Sequence, residues 1–227
     1  VRALDEALSK ISLASDDTLY VLGDMIDRGP DPVGVIKLVR SLPNARVLKG
    51  NHEQIMLDAI IGQDPLDAET WDINGGWTTR QQLNDMEFEA YEELVRWMAT
   101  LPLYAVAETD ERPYLLVHAG IQTEAARAFL LEHGVDCADG AGAVSADREL
   151  LQQMLAVQSS DDLLWIRHGY WDASTGLLSA EGKGPVVVSG HTPTVSLGRY
   201  CEVGGLAGLD EESGRGQIVR LGGEDTA

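Results

Sequence analysis

Two short stretches constrain this chain more than anything else in it: Gly23-Asp24-Met25-Ile26-Asp27-Arg28-Gly29-Pro30 and Gly50-Asn51-His52-Glu53. Each begins where a hydrophobic run ends. Leu19-Tyr20-Val21-Leu22 reads as a short buried strand, and Arg46-Val47-Leu48-Lys49 as a second. Between them, residues 32–42 carry apolar side chains at Val33, Ile36 and Val39, with Val35 and Leu42, a helical spacing. Asp31 stands where it can cap that helix, and Pro32 suits its first position. Residues 52–61, with Ile55, Met56, Leu57, Ile60 and Ile61, predict the next helix. The unit is strand–loop–helix–strand–loop–helix, with both polar loops beyond strand C-termini. In open α/β sheets that edge is where ligands bind.

Gly, Asp, Asn and Pro are the commonest loop residues, so turn chemistry accounts for Gly29-Pro30 and can account for Gly50-Asn51. It does not account for Asp24, Asp27 and Arg28 on one loop with Asn51 and His52 on its neighbour. Carboxylate, amide oxygen and imidazole are ligands for Mn²⁺, Fe or Zn²⁺, and no soft thiolate stands among them to bias the choice. The residue types alone therefore suit a divalent-metal hydrolase.

Together the stretches resemble the metal-dependent phosphoprotein phosphatases, the family of the eukaryotic Ser/Thr phosphatases and the phage lambda phosphatase. The family pattern is Gly-Asp-x-x-Asp-Arg-Gly followed by Gly-Asn-His-Glu, and both stand here unbroken. The likeness is strongest to the small bacterial and phage branch. It implies an α/β fold (α+β in some schemes), a four-layer β-sandwich flanked by helices. It also implies two divalent ions, Mn²⁺ first with Fe or Zn²⁺ as alternatives, which can activate a bridging water and neutralise phosphate. By resemblance Asp24 bridges both ions, while Asn51, His118 and His191 complete one of the two metal sites. His52 would protonate the leaving group and Asp27 would orient its imidazole. Arg28, Asn51 and Arg167 would bind the substrate phosphate.

The rest of the chain extends the likeness. Residues 1–11 form an amphipathic pattern through Val1, Leu4, Leu8 and Ile11. Residues 62–72 read as a polar surface segment. Ile73-Asn74-Gly75-Gly76-Trp77 resembles a stretch of the phage and bacterial members, and reads equally as a plain helix entry over 78–83. Residues 87–98 predict a helix with Tyr91, Leu94, Val95 and Met98 inward. Residues 103–107 and 114–117 predict a hairpin, the second strand ending in His118-Ala119-Gly120. A histidine there can be a satisfied buried imidazole; the family's next ligand stands in the same setting. Helices are expected over 123–133 and 145–157, separated by an irregular Gly/Ala/Asp-rich stretch at 134–144. Leu164-Trp165-Ile166-Arg167 resembles a family segment that binds phosphate, although Arg167 also suits a surface cation. His133 and His168 match no ligand position. Residues 185–189 predict a strand ending in Gly190-His191-Thr192-Pro193, the family's closing motif. A last strand is expected at 218–221 before a frayed tail at 224–227. Leu209-Asp210-Glu211-Glu212 departs from the family's glycine-bearing pattern without removing a ligand. Asp24, Asn51, His118 and His191 each close an apolar run, so the fold is expected to gather them.

A net charge of −20 argues against nucleic acid or anionic membranes as partners. It also requires a phosphate site to be made locally positive by metal ions and a few arginines. The expected partner is a phosphoprotein or a small phosphoester, bound by a monomer. Cys137 and Cys201 form neither a metal-binding spacing nor a disulfide framework, and no apolar run reaches membrane-spanning length. A cytoplasmic setting is the expectation.

Residues 1–227 are expected to form a single metallophosphatase domain. The family's first motif, Gly-Asp-x-His-Gly, follows a strand that would fall before Val1, and neither is in this sequence. The corresponding expectation is one firmly held ion, a second held weakly, and impaired hydrolysis until that segment is supplied. Two other readings stand beside the phosphatase. Dinucleoside polyphosphate hydrolases share both opening motifs but typically carry Ala where Asp27 stands and often Asp in place of Glu53. A catalytically impaired binding module on the phosphatase fold is the other.

Overall fold

The first apolar run becomes β1 (Leu19–Val21) and the second becomes β2 (Ala45–Val47), with Leu19 opposite Ala45 and Val21 opposite Val47 in a parallel pair. These elements belong to a computed structural model that describes residues 1–11, 13–62, 64–109, 112–135, 147–167, 177 and 184–192. Parallel strands need a long crossover. Here it is α2 (Pro32–Ser41), capped by Asp31, whose side chain accepts a 3.0 Å bond from Gly34 N, with Pro32 in the first turn. The Leu48 N–H donates to Val21 O beyond β2, so the chain stays extended to the start of the second polar loop.

Two compact units make up the chain, Val1–Leu103 and Tyr104–Ala227. In the first, α1 (Arg2–Ile11) buries no residue fully and leans Leu4 on the core. α3 (Asn51–Ile61) packs against α4 (Pro65–Ile73) and α6 (Phe88–Ala99), and α2 packs against α5 (Trp77–Asn84). The core they share includes Ile36, Val39, Met56, Trp71, Leu94 and Met98. Leu94 and Met98 of α6 point inward as their spacing requires, while Tyr91 and Val95 are only partly covered. α4 adds to the reading of residues 62–72 as a polar surface segment: most of those described are exposed, but they form a helix with one buried anchor. Asp64 caps the helix through Leu66 N at 2.9 Å, Pro65 opens it, and Trp71 is buried.

In the second unit β3 (Tyr104–Glu108) and β4 (Pro113–Val117) form the expected antiparallel hairpin. β5 (Val186–Val188) joins the other side of β4 in parallel, with Leu116 opposite Val188. The central strand β4 is the most buried, consistent with its continuous apolar run. α7 (Thr123–Glu132) packs on α8 (Arg148–Ala156), and α8 on β3. α9 (Ser160–Trp165) is capped by Ser159, whose hydroxyl accepts from Asp162 N. The α/β class stands, as alternating helices and strands in a parallel pair and a mixed sheet. The strand expected at 218–221, the tail at 224–227, the departure at 209–212, Cys137, Cys201, His168 and Pro193 lie outside the described residues. Among the described residues no helix is long and apolar enough to cross a membrane.

Candidate functional site

The loop after β1 is bent by three non-glycine residues in left-handed backbone conformations: Asp24 at φ 54°, Asp27 at 67° and Arg28 at 58°. Such conformations are uphill for L-residues with a Cβ, and they persist only when surrounding bonds over-determine them. Thr79 Oγ1 accepts from Asp27 N and Gly75 O from Arg28 N, and Glu53, fully buried on α3, supplies the bonds at Asp24. Its Oε2 accepts from Asp24 N and Gly50 N, both at 2.8 Å, and its Oε1 accepts from Met25 N at 2.7 Å. One carboxylate therefore ties the first loop to the second. Burial pushes the Glu53 carboxyl up to about 7, aided by the Asp24 charge and opposed by the three backbone donors. Gly23 and Gly50 make the closeness possible. A Cβ on Gly23 would collide with Gly50 N, and one on Gly50 would collide with Asp24 Oδ1.

His52 and Asp27 meet inside this frame, both nearly inaccessible to solvent. His52 Nδ1 lies 2.6 Å from Asp27 Oδ2. The other oxygen, Oδ1, accepts from the Thr79 hydroxyl at 2.7 Å and from Trp71 Nε1 at 3.1 Å. Thr79 Oγ1 in turn accepts from Asp27 N at 2.9 Å. Arg28 is exposed, with Nη2 2.7 Å from His52 Nε2 and Nε donating to Asn74 O at 3.2 Å. Guanidinium can only donate and a carboxylate can only accept. Both partners of His52 thus select one tautomer, with the proton on Nδ1 and the lone pair on Nε2. In that state Nε2 accepts from Arg28, and it can take up a proton when the guanidinium moves away.

Asp24 is exposed beside this pair, its Oδ1 accepting from His52 N at 3.2 Å. Asn51 opens α3 and is buried. The first unit thus supplies a carboxylate and an amide at the start of a helix, whose N-terminal dipole favours an anion nearby.

In the second unit, His118 follows β4 and His191 follows β5. Gly190 N donates to His118 O at 2.8 Å, and Ala119 N donates to Leu163 O at 2.8 Å, fixing both strand ends. His118 Nε2 comes within 3.1 Å of His191 Nδ1, with the rings edge to face at 5.0 Å between centroids. His191 sits at φ 59°, with the Trp165 ring edge-on to it. Two ring nitrogens converging at that distance fit a shared divalent cation, and so do the carboxylate and amide of the first unit. Arg167 is exposed two positions beyond α9. His133 caps α7, stacks on Phe129 and bonds its carbonyl, a local structural role.

Glu53, Trp71 and Thr79 carry the geometry without having been singled out for it. The only sequence signal for Glu53 was its place in the motif. Trp71 and Thr79 act 44 and 52 positions from Asp27, beyond the reach of any local pattern.

The calcineurin-like phosphoesterase (Metallophos) family matches residues 1–215, and the chain belongs to it. Symmetrical bis(5'-nucleosyl)-tetraphosphatases are among its curated relatives. That of Erwinia tasmaniensis is 34% identical over 107 residues, 46% of this chain and 34% of that protein. That of Aromatoleum aromaticum is 34% identical over 124 residues, 52% of this chain and 40% of that protein. The chain thus spans 34% to 40% of the length of these relatives. Among solved structures, the phosphatase domain of the Legionella effector WipB aligns at 13% identity and TM-score 0.47, over 84% of this chain and 78% of that one.

Proposed function

We propose that the chain hydrolyses phosphoric esters and anhydrides with divalent ions held by Asp24, Asn51, His118 and His191, and that its substrate is a dinucleoside polyphosphate. The hydrolytic part rests on one observation above all, a buried His52 whose Nδ1 is fixed by Asp27 and whose Nε2 faces Arg28. The substrate class is supported by the tetraphosphatases among its relatives. Bound ions supply Lewis acidity and an activated water; Mn²⁺ is the first to test, with Fe and Zn²⁺ next. Arg28 and Arg167 draw phosphate oxygens with planar donors, and Asn51 adds an amide at the helix start. To act as the acid, His52 first takes up a proton from solvent on Nε2, with the Arg28 guanidinium turning from that nitrogen to the phosphate, and then delivers it to the departing oxygen; Asp27 steadies the ring's charge while it is protonated.

A second reading, hydrolysis of phosphoserine or phosphothreonine in proteins as in the lambda phosphatase branch, is favoured by Asp27. An alkoxide leaves badly unless protonated, so a buttressed general acid serves it more than it serves a nucleotide phosphate, which leaves readily unaided. The test is one substrate panel: diadenosine tetraphosphate, p-nitrophenyl phosphate and a phosphoserine peptide, with Mn²⁺ and with a chelator. Metal-dependent release of two ADP per dinucleotide, faster than turnover of the peptide, is the expected result. Faster peptide turnover establishes the second reading. No turnover of any substrate with metal present, by this chain or by a longer one supplied with the family's first motif, leaves the binding module.

A further inference from the structure

We infer that Trp71 and Thr79 are positioning residues for the general acid, holding Asp27 so that His52 keeps one ring orientation and one tautomer. The inference deepens the hydrolytic reading above and rests on it. Asp27 is buried, and a buried carboxylate needs donors on both oxygens. His52 occupies Oδ2, while Oδ1 has the Thr79 hydroxyl at 2.7 Å and the Trp71 indole N–H at 3.1 Å. The indole N–H also stands 3.2 Å from Oδ2, so it bridges the carboxylate edge and sets its plane. Thr79 closes a ring with the main chain, since its oxygen accepts from Asp27 N while its hydroxyl proton goes to Oδ1. The carboxylate therefore cannot rotate without breaking three bonds at once.

The supports are themselves anchored. Trp71 is buried and Thr79 is fully so, and they lie on α4 and α5. The turn joining those helices also binds the neighbouring residue, with Gly75 O accepting from Arg28 N at 3.1 Å and Asn74 O accepting from Arg28 Nε. Gly76 is needed for the arrangement, because a Cβ there would collide with the Trp71 ring. One short helical hairpin thus sets the Asp27 carboxylate and the Arg28 guanidinium against opposite nitrogens of the same imidazole. That gives α4 and α5 a role in the chemistry beyond packing.

The variants are Thr79→Val, which keeps shape and removes the hydroxyl, and Trp71→Phe, which keeps a ring and removes the N–H; Thr79→Ser is the conservative control. The first readout is the His52 Nδ1–H proton by NMR on the 227-residue chain without metal, assigned by its loss in His52→Gln. A proton in a 2.6 Å bond to a buried carboxylate resonates far downfield. It is expected to move upfield or broaden in Thr79→Val and Trp71→Phe and to return in Thr79→Ser. The second readout is turnover with Mn²⁺. Losses of about 10- to 100-fold are expected for an alkyl phosphate, and smaller ones for p-nitrophenyl phosphate, which needs less protonation. Circular dichroism melts establish that each variant is folded. A resonance absent from the wild type or unchanged in both variants, or equal losses on both substrates, overturns the inference. If the wild type turns over no substrate, even in a longer chain supplied with the family's first motif, the hydrolytic reading has failed, and the NMR result alone decides the positioning.

Discussion

In the first unit both oxygens of Asp27 and both oxygens of Glu53 meet protein donors, whereas in the second His118 and His191 present ring nitrogens to one another across 3.1 Å. The glycines differ in the same sense. Gly50 has no room for a methyl group, which would collide with Asp24 Oδ1, while at Gly190 the nearest atom would be His118 O at 3.8 Å. The first set of loops is fixed by many mutually dependent bonds; among the described residues, the bonds described for the second are the two that Gly190 N and Ala119 N donate at the strand ends. A group that moves protons must be held in one tautomer and one orientation before substrate arrives. A pair of imidazoles that accepts a cation needs only to be brought near, because coordination completes the geometry.

The largest effect that contrast predicts is at His52. His52→Ala should lower turnover of an alkyl phosphate by about two to four orders of magnitude. Metal content, measured by elemental analysis, should be unchanged. Equal loss for p-nitrophenyl phosphate would remove the leaving-group role. Next comes the closing pair. His118→Ala should weaken Mn²⁺ binding in calorimetric titration by at least the roughly 10- to 100-fold typical of outer-shell changes. Unaltered affinity would break the assignment of the second unit to metal binding.

Glu53→Gln tests the bonded frame itself. An amide can accept from only part of the donor set and turns its own N–H₂ toward a backbone N–H, so about 1–3 kcal/mol of stability should be lost in denaturant titrations. The loss should depend on pH. The folded carboxyl titrates at about 7 against an ordinary 4.5, so Glu53 contributes most below the lower value and its contribution fades as pH rises through the upper one. The gap between wild type and Glu53→Gln should therefore narrow between about pH 5 and pH 8 in metal-free protein; a widening gap reverses the sign. A matched pair of glycines gives an effect of the same size and then the smallest of all. Gly50→Ala should destabilise by about 1–3 kcal/mol through overpacking, and Gly190→Ala by no more than about 0.5 kcal/mol. Equal effects in urea titrations would erase the distinction between the two loops.

Strand ends, the Asp31 cap and the hairpin at 104–117 were legible because each depends on residues close in sequence. The α4 helix was not. Its apolar residues, Leu66, Trp71 and Ile73, have no steady spacing, and Leu66 and Ile73 are exposed, so its one buried anchor is invisible to periodicity. The Asp64-Pro65 start signal was present, yet it gained weight only from a tryptophan bonded to a carboxylate 44 positions earlier. Motif residues named the candidate site; the groups that hold them still were set by packing between helices.

The single carboxylate of Glu53 also shapes how this protein breathes. The amides of Asp24, Met25 and Gly50 all end on its two oxygens, although they belong to separate loops. None can open to solvent alone without loosening the acceptor that the others share. Under native-state hydrogen exchange these three protons should therefore report one opening event, with a common free energy and a common response to denaturant. The loops that carry Asp24 and His52 behave as one cooperative segment, and whatever frees one frees the other.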